Sequence, residues 1–342
     1  MKAVVFHKHG GAGQLKYEEV RDPVLSSGEV LVQVKACAIN HLDLWTRMGI
    51  PGISIPLPHI LGCDVAGVVK DWGDGVAHLT RNGACLIAPG ISCGRCEMCV
   101  SARDSQCASY QILGFQVDGG YAEFVKVPVQ NVLPLPEGLS FVEAAAVPLV
   151  FLTAWHMLMT RGALRAGETV LVHAAGSGIG SAAIQIAKLA GATVITTVGK
   201  DAKIPKAKRL GADEVINYRK ADFAERVKQI TQGRGADVVF EHIGPATWPG
   251  NLKALAKGGR MVVCGATSGP EVEMPVRYLY AKELQISGCY MGSHKELLEV
   301  LRLIERKRLK PIVDRTYPLR QAAKAHEKIE GRDIFGKVVL VP

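Results

Sequence analysis

From about residue 140 onward, apolar runs of strand length alternate with amphipathic runs of helix length, and this alternation restricts the fold more than any other feature. Thr169–Ala174 predicts a buried strand, Gly178–Ala190 a helix and Thr193–Val198 the next strand. Strands that alternate with helices in this way form a parallel, doubly wound α/β sheet. The same pattern predicts further helices over 203–210, 223–231 and 252–256, and further strands over 215–216, 237–241, 260–264 and 284–288.

The segment 1–130 has a different texture. Val30–Ala36 alternates as a strand does, Ala66–Val69 predicts another strand, and Gly, Pro and Asp separate such runs without a long helical period. We therefore expect an all-β region here. The segment 296–342 predicts a helix, a linker, a second helix and a terminal strand over Lys337–Val341 that returns to the first domain. The expected domains are 1–134 with 290–342, and 135–289.

Four cysteines interrupt the β region between positions 90 and 110. Cys93, Cys96, Cys99 and Cys107 have the spacing C-x2-C-x2-C-x7-C. Four thiolates can close a tetrahedral zinc site and leave no position for water, which is typical of structural zinc and not of catalytic zinc. The sequence therefore predicts one structural Zn²⁺ in a small lobe, and this lobe does not define the chemistry.

Length, charge and cysteine content restrict the class of protein. The 342 residues suit two domains, and the five cysteines outside the lobe are scattered and odd in number, as in a reducing compartment. We find no signal peptide and no apolar run long enough to span a membrane, so we expect a cytoplasmic protein without a membrane partner. The net charge of +9 is spread along the chain, which disfavours nucleic acid as a partner and suits an anionic small molecule.

The turn after the first strand of the α/β region predicts a dinucleotide site. Small residues there let the backbone approach a pyrophosphate, and the following helix presents free N–H groups to it. The match to G-x-G-x-x-G is imperfect, but its strand–turn–helix context favours a ligand over a plain connector. The predicted contacts are Gly176, Ser177, Gly178, Ile179 and Gly180.

The end of the second strand predicts which cofactor binds. NAD sites carry an acidic residue there to bind the ribose 2′-hydroxyl. Here the strand ends in Gly199, and Lys200 and Lys203 follow, which can neutralise a 2′-phosphate; Tyr218 lies at the next strand end. We therefore expect NADP(H). Asp201 is an acidic residue near this strand end, so NAD(H) remains an alternative cofactor.

Several segments together resemble the medium-chain dehydrogenase/reductase superfamily over essentially the whole chain. They are P-H-I-L-G-C-D-V-A-G-V-V (58–69), the four-cysteine lobe, G-G-Y-A-E-F (119–124), L-T-A-W (152–155), the cofactor turn and the terminal F-G-K-V-V-L. The resemblance implies a GroES-like β domain joined to a Rossmann domain. It also implies contacts of Thr153 beside the nicotinamide and of Lys337 with the cofactor, and a homodimer, or alternatively a tetramer, through the sheet edge near Leu284–Tyr290.

The resemblance also locates the positions at which zinc alcohol dehydrogenases hold a catalytic zinc. In this chain those positions carry Asn40, Cys63 and Leu149, and the position of the relay hydroxyl carries Leu42. Leucine cannot bind a metal, so the standard three-ligand site is absent. Asn at the first position resembles the zinc-independent quinone-oxidoreductase and enoyl-reductase branches, although those usually lack the four-cysteine lobe.

These features predict an NADPH-dependent oxidoreductase that delivers hydride to an alkene conjugated to a carbonyl, such as an enone, a quinone or an enoyl thioester. Asn40 and His41 could donate hydrogen bonds to the developing enolate. Two alternatives remain: an alcohol dehydrogenase with a non-standard metal site that uses Cys63 with Asp64, His41 or His59, and a non-enzymatic NADPH-binding sensor or scaffold. The candidate catalytic residues are Asn40, His41, Asp43, Cys63 and Asp64. The candidate pocket walls are Trp45, Phe115, Phe151 and Trp155.

Overall fold

The computed structural model describes all residues from 1 to 342, and the chain divides into two compact units. The first unit contains residues 1–149, 293–307 and 311–342, and the second contains 150–292 and 308–310. No helix in the structure combines the length and the apolar character that crossing a bilayer requires.

The first unit is built mainly from short antiparallel strands. Its strands are β1 (Lys2–Phe6), β2 (Lys16–Glu19), β3 (Glu29–Ala38), β4 (His59–Ile60), β5 (Asp64–Trp72), β6 (Ala84–Ile87), β7 (Gly90–Ile91), β8 (Gln111–Ile112), β9 (Phe124–Pro128) and β10 (Val132–Pro134). Its helices in this part of the chain are α1 (His41–Met48), α2 (Glu97–Val100) and α3 (Phe141–Ala145). The next helix, α4 (Pro148–Trp155), begins in the first unit and continues in the second from Val150 onward.

The second unit contains a six-stranded parallel sheet. Its strands are β11 (Thr169–Val172), β12 (Thr193–Val198), β13 (Glu214–Asn217), β14 (Ala236–Glu241), β15 (Leu255–Val263) and β16 (Gln285–Gly288). Its helices are α5 (Gly178–Leu189), α6 (Ile204–Arg209), α7 (Phe223–Ile230), α8 (Trp248–Ala254) and α9 (Val276–Lys282). The spatial order is β13-β12-β11-β14-β15-β16, in which the chain reverses its direction of winding after β13. This is the order of a Rossmann sheet, whose ligands bind outside the carboxyl ends of the strands at the switch point between β11 and β14.

The end of the chain completes the first unit. It forms α10 (His294–Glu305), β17 (Val313–Pro318), α11 (Ala322–Glu330) and β18 (Lys337–Val341). Strand β18 pairs with β3 and with β17 inside the seven-stranded sheet, so the prediction that the terminal strand returns to the first domain is confirmed. Strand β18 is almost wholly buried, which suits its run of valine and leucine.

The structure corrects the sequence prediction in three places. The segment 1–130 contains helix α1, which begins at His41. Asn40 precedes it as the N-cap residue, and the Asn40 N–H donates to the Asp43 carboxylate in a capping box. The helix expected over 252–256 ends at Ala254, and Leu255 begins β15 because its backbone is extended and pairs with β14. Strand β17 and helices α2, α3, α4 and α9 are additional elements that the sequence pattern does not predict.

Candidate functional site

The four lobe cysteines form a ready tetrahedral site. Their sulfur atoms all lie within 4.8 Å of one another, and Sγ of Cys99 lies 3.8 Å from Cys93 and 3.5 Å from Cys96. Tetrahedral zinc with Zn–S bonds of about 2.3 Å needs sulfur atoms roughly 3.8 Å apart. These two distances are close to that value and the four sulfur atoms form one compact cluster, so the lobe has the donor atoms and the proximity to hold one zinc ion.

The zinc lobe is fastened to helix α10. The Asp104 carboxylate accepts the His294 N–H, at 3.0 Å and 3.1 Å from its two oxygens. A carboxylate at this position satisfies a free N–H of the first helical turn and complements the helix dipole. The lobe therefore supports a helix that begins far later in the chain.

Asn40, Cys63 and Asp64 come together in the first unit, as the resemblance requires. Asn40 follows β3 and precedes α1, while Cys63 and Asp64 enter β5. The Asn40 side-chain amide donates to Asp64 Oδ2 at 2.9 Å and to Cys63 Sγ at 3.2 Å. All three residues are buried.

A cation lies in the middle of this group. The Lys337 ammonium donates to Asn40 Oδ1 and lies 3.0 Å from Asp64 Oδ2. The backbone N–H of Leu149 donates to the other Asp64 oxygen at 2.8 Å. The Asp64 carboxylate thus accepts hydrogen bonds from one charged and two neutral donors, so neither of its buried oxygens lacks a partner.

Asp43 lies behind Asn40 and holds two backbone segments together. Its Oδ2 accepts the Asn40 N–H at 2.6 Å, and its Oδ1 accepts the Gly62 N–H at 3.0 Å. Burial raises the pKa of Asp43 from 3.8 to about 7, while the hydrogen bond from Asn40 and the charge of Lys337 act in the opposite direction. Burial also raises the pKa of the Cys63 thiol well above its ordinary value, so Cys63 is a neutral thiol.

His41 differs from the buried residues Asn40, Cys63 and Asp64 in its exposure to solvent. It is the first residue of α1, it is exposed, and its ring packs edge-on against Trp45 at a centroid separation of 5.6 Å. Trp45 is half-buried and Phe115 is buried in the first unit, while Phe151 is buried and Trp155 half-buried in the second. The pocket role of these four aromatic residues stays a prediction.

The turn predicted to bind the cofactor is tightly folded against the start of helix α5. Ala174 adopts a left-handed backbone conformation (φ 52°), and the Ser177 hydroxyl accepts the Gly180 N–H at 2.9 Å and caps helix α5. A Cβ at Gly180 would lie 2.3 Å from the Ala174 carbonyl oxygen, so only glycine fits there. Gly176, Gly178 and Ile179 lie in the same turn, after β11 and at the start of α5.

The end of β12 carries the residues from which NADP(H) is predicted, and the choice of NADP(H) stays a prediction. A Cβ at Gly199 would lie 2.6 Å from the Tyr218 hydroxyl, so the tyrosine packs directly over the glycine. Asp201 is the acidic residue that could bind the ribose of NAD(H). Its carboxylate accepts hydrogen bonds from Lys220 and, at 2.6 Å, from Asn217, and these bonds lower the pKa of Asp201. Lys200 and Lys203 flank Asp201.

Thr153, which the resemblance places beside the nicotinamide, is buried in α4. Its hydroxyl points at the Met291 sulfur, 4.0 Å away. The contact of Thr153 with the cofactor stays a prediction.

Sequence reasoning missed the contacts of Lys337 and the burial of three further polar residues in the first unit. The resemblance assigns Lys337 to the cofactor, and in the structure its ammonium contacts Asn40 and Asp64. The contact of Lys337 with the cofactor stays a prediction. Arg47, Tyr121 and His326 have no assigned role in the sequence, and all three are buried. An arginine and a histidine on amphipathic helices give no sequence signal of burial, because solvent-exposed helix faces carry the same residues.

Comparison with known proteins identifies relatives along the whole chain. Residues 26–137 match the family described as alcohol dehydrogenase GroES-like domain, and residues 178–306 match the family described as zinc-binding dehydrogenase. An alcohol dehydrogenase of Geobacillus stearothermophilus is 34% identical over 342 residues, which cover 99% of each chain. A quinone oxidoreductase of Mus musculus is 33% identical over 351 residues, which cover 100% of this chain and 98% of the relative.

Among solved structures, one of an NAD-dependent alcohol dehydrogenase superposes with a TM-score of 0.96 at 46% identity, over 100% of both chains. These relatives bear the names of two different activities. The names support enzymatic oxidoreduction over a role as a non-enzymatic sensor or scaffold, and they do not choose between an alcohol and an alkene as the substrate.

Proposed function

Because this chain belongs to the medium-chain dehydrogenase/reductase superfamily, and is therefore an oxidoreductase, we propose that it reduces an activated alkene conjugated to a carbonyl with NADPH and without a catalytic zinc. In this reaction the nicotinamide gives a hydride to the β-carbon, the carbonyl oxygen becomes an enolate, and a proton from solvent then adds to the α-carbon. The products are NADP⁺ and the saturated carbonyl compound.

The observation that carries the proposal is the position of the Lys337 ammonium between Asn40 and Asp64. A zinc ion bound by Asn40, Cys63 and Asp64 would have to displace or lie against this cation. The third family position supplies only the Leu149 backbone N–H, which already serves Asp64.

The residues present suit stabilisation of an enolate by hydrogen bonds. The Asn40 amide nitrogen donates to the Asp64 carboxylate at 2.9 Å and to the Cys63 sulfur at 3.2 Å, with the Ala38 carbonyl oxygen as a more distant acceptor at 3.5 Å. A thiol sulfur is a weak acceptor, so an enolate oxygen could compete for the second N–H. An alkoxide, which alcohol dehydrogenation requires, is more basic and would depend more on a metal ion.

The preference for NADPH rests on the end of β12. No carboxylate ends the strand at Gly199, Lys200 and Lys203 supply positive charge, and the Asp201 carboxylate is engaged by Asn217 and Lys220. The relative named as an NAD-dependent alcohol dehydrogenase stands against this preference. We keep NAD(H) as the alternative, to be separated by the cofactor variants described in the Discussion.

The second candidate function is alcohol dehydrogenation with a non-standard catalytic metal. It is favoured by the names of the alcohol dehydrogenase relatives and by the donor atoms of Cys63 and Asp64. In that case a divalent ion would have to replace the Lys337 ammonium on Asp64, and the activity would depend on an added metal beyond that of the four-cysteine lobe.

The deciding experiment supplies the purified chain with NADPH that carries deuterium at the transferred position. The acceptors are a cyclic enone, a 2-alkenal, a quinone and a crotonyl thioester, and alcohol oxidation with NADP⁺ and NAD⁺ runs in parallel. We expect deuterium at the β-carbon of the reduced alkene, with little alcohol oxidation. Alcohol oxidation that grows with added zinc, together with no alkene reduction, would instead establish the second candidate.

We further propose that the protein acts as a homodimer through the free edge of the parallel sheet at β16. This edge strand has an unpaired side, and Tyr290 just beyond it is 52% exposed. Light scattering coupled to size-exclusion chromatography measures the mass directly, and Ile286→Pro would disrupt pairing along this edge. A monomeric mass at assay concentration would contradict this assembly.

A further inference from the structure

Glu241, the last residue of β14, has a carboxylate that is fully buried in the second unit. Its Oε1 accepts the backbone N–H groups of Ile243 and Gly244, the latter at 2.7 Å. Its Oε2 accepts the Thr247 hydroxyl at 2.8 Å and the side-chain amide of Asn251. An ionised carboxylate only accepts hydrogen bonds, and about four donors fill its two oxygens. The four partners of Glu241 therefore suit a charged carboxylate.

The charge of Glu241 fixes the orientation of Asn251 and the proton of His173. Asn251 turns its Nδ2 to the carboxylate, so its Oδ1 faces Nε2 of His173 at 2.7 Å. An amide oxygen only accepts, so the His173 proton lies on Nε2. Burial lowers the pKa of His173, although the charge of Glu241 acts in the opposite direction, and the ring is neutral. Its Nδ1 is therefore an acceptor.

The Nδ1 acceptor of His173 connects this group to the turn after β11. Thr197 Oγ1 lies 3.2 Å from Nδ1, and the Ala174 backbone N–H donates to the same oxygen at 3.1 Å. The Thr197 hydroxyl thus accepts from Ala174 and donates to His173. Hydrogen bonds run in one direction from the Ala174 N–H to the Glu241 carboxylate. We call the four side chains of Thr197, His173, Asn251 and Glu241 the donor series, and each is at most 2% exposed.

The donor series joins two turns at the carboxyl ends of neighbouring strands. Ala174 has a left-handed backbone, and its carbonyl oxygen accepts the Ser177 N–H at 2.8 Å and the Ser177 hydroxyl at 2.9 Å. Ala174 therefore shapes the turn that leads into α5. At the other end, Glu241 holds the N–H groups of the turn after β14. Strands β11 and β14 pair with each other at the switch point, where a Rossmann sheet binds its dinucleotide.

We propose that the donor series holds the turn after β11 in the conformation that binds the dinucleotide pyrophosphate, so that its four members are positioning residues for the cofactor. NADPH and NADH share the pyrophosphate, so both should depend on the series to the same degree. The inference rests on the part of the proposed function that assigns a dinucleotide to this turn. It does not depend on the alkene or on the 2′-phosphate.

The first test measures cofactor affinity without a substrate. Thr197→Val keeps nearly the same side-chain shape but removes the hydroxyl, so the Ala174 N–H loses its acceptor and His173 Nδ1 loses its donor. We expect the Kd for NADPH and the Kd for NADH, each measured by nicotinamide fluorescence, to rise by the same factor of about five to ten.

The matched control is Thr196→Val, one position earlier on β12. The Thr196 hydroxyl is also buried, and it donates to the Val172 carbonyl at 2.7 Å outside the donor series. This variant loses one buried hydrogen bond of the same kind, and its Kd for both cofactors should equal that of the wild type. An unchanged Kd in Thr197→Val, or an equal rise in Thr196→Val, would overturn the proposal.

His173 provides the rescue. Glutamine offers one acceptor for Thr197 and one donor for Asn251, whereas leucine offers neither. We expect His173→Gln to bind both cofactors more tightly than His173→Leu, with urea unfolding of each variant to show that it is folded. Equal rises of Kd in two folded variants would reduce His173 to a packing role and overturn the proposal.

The direction of the donor series is measured by NMR of protein labelled with ¹⁵N-histidine. His173 is one of ten histidines, so its signals are assigned by their loss in His173→Gln. We expect the neutral Nε2–H tautomer, without titration between about pH 5.5 and 8.5. The neighbouring His242 contacts the His173 backbone carbonyl at 3.1 Å through Nε2, so it leaves the His173 ring to its two partners. A proton on Nδ1 would mean that the series runs the other way, and would overturn it.

The outcomes separate this inference from the proposed function. A wild type that binds NADPH more tightly than Thr197→Val, yet reduces no alkene, would support the donor series and contradict the proposed reaction. Alkene reduction by the wild type, together with the same Kd in Thr197→Val, would support the proposed reaction and contradict the donor series.

Discussion

The ammonium of Lys337 lies 3.0 Å from Oδ2 of Asp64, and the two side chains are 4% and 0% exposed. Lys337 is the first residue of β18, the last strand, whereas Asp64 is the first residue of β5, which lies in the first quarter of the chain. The resemblance to zinc alcohol dehydrogenases would place catalytic zinc ligands around this point. The Lys337 ammonium therefore lies at the position where the resemblance to those relatives leads us to expect a metal ion.

Removal of the Lys337 charge should destabilise the protein strongly. Lys337→Met keeps much of the side-chain volume but leaves the Asp64 carboxylate buried without its cation, and breaking a buried pair in this way costs about 3–5 kcal/mol. Urea unfolding should show a midpoint well below that of the wild type.

The matched control for this prediction is the double variant Lys337→Met with Asp64→Asn. It removes both charges, so it should unfold at a higher urea concentration than Lys337→Met alone. A double variant less stable than the single one would show that Asp64 is not the partner that makes Lys337 important.

The Asp43 carboxyl should make stability depend on pH. Its pKa is raised from 3.8 to about 7 in the folded protein by burial, so the folded state binds more protons than the unfolded state between these values. The stabilisation from Asp43 is therefore complete below about pH 4 and is lost as the pH rises through 7. The free energy of unfolding should fall over this range by at most about 4 kcal/mol. Asp43→Asn should flatten this part of the profile, measured by urea unfolding at a series of pH values. A wild-type profile that rises over the same range, unchanged in the variant, would contradict the burial of this carboxyl.

Two lysines should discriminate between the cofactors. The double variant Lys200→Ala with Lys203→Ala removes the positive charge beside the proposed 2′-phosphate. We expect KM for NADPH to rise about tenfold or more, at about 1–2 kcal/mol for each lost charge-assisted contact, with KM for NADH unchanged. Steady-state kinetics with both cofactors measures this.

The control for the cofactor variants is Lys257→Ala, which removes an exposed lysine whose partner is Glu283. This variant should leave KM unchanged for both NADPH and NADH. Equal losses for NADPH and NADH in the double variant would mean that the lysines do not contact the 2′-phosphate, and would favour NAD(H).

The four-cysteine lobe should stabilise the start of helix α10 as well as itself. Cys96→Ser removes one thiolate and should release the metal of the lobe. Because Asp104 then loses its fixed position on the His294 N–H, hydrogen exchange over residues 293–297 should speed up. Cys289→Ser, a thiol outside the lobe, should retain the zinc and the slow exchange. Unchanged hydrogen exchange over residues 293–297 in Cys96→Ser would show that the lobe does not stabilise the start of helix α10.

The second unit is well predicted from the sequence because its elements repeat a strong pattern. The predicted bounds of Thr193–Val198 agree with β12 at both ends, and those of β11, α5 and α7 differ only at the C-terminal end. Buried parallel strands are continuous apolar runs and their helices are amphipathic, so both give a clear signal. Helix α1 is missed because it is too short to show a helical period. The spacing of Asn40 and Asp43 was the available signal of its start.

The candidate site was only partly predictable from the sequence. Asn40, Cys63 and Asp64 could be placed together because the resemblance supplies their spatial relation. Lys337, the cation of this site, lies far from Asn40 in the sequence, and the pairing of β18 with β3 brings the two residues together. Such contacts depend on the tertiary fold, and no local pattern of charge or hydrophobicity encodes them.

The central claim is that the only metal of this enzyme is structural, and the zinc content of the purified chain tests it most directly. Elemental mass spectrometry against protein concentration from amino-acid analysis should give about one zinc per chain in the wild type, and none in Cys96→Ser. About two zinc ions in the wild type, of which one remains in Cys96→Ser, would contradict the account and place a metal where Lys337 meets Asp64.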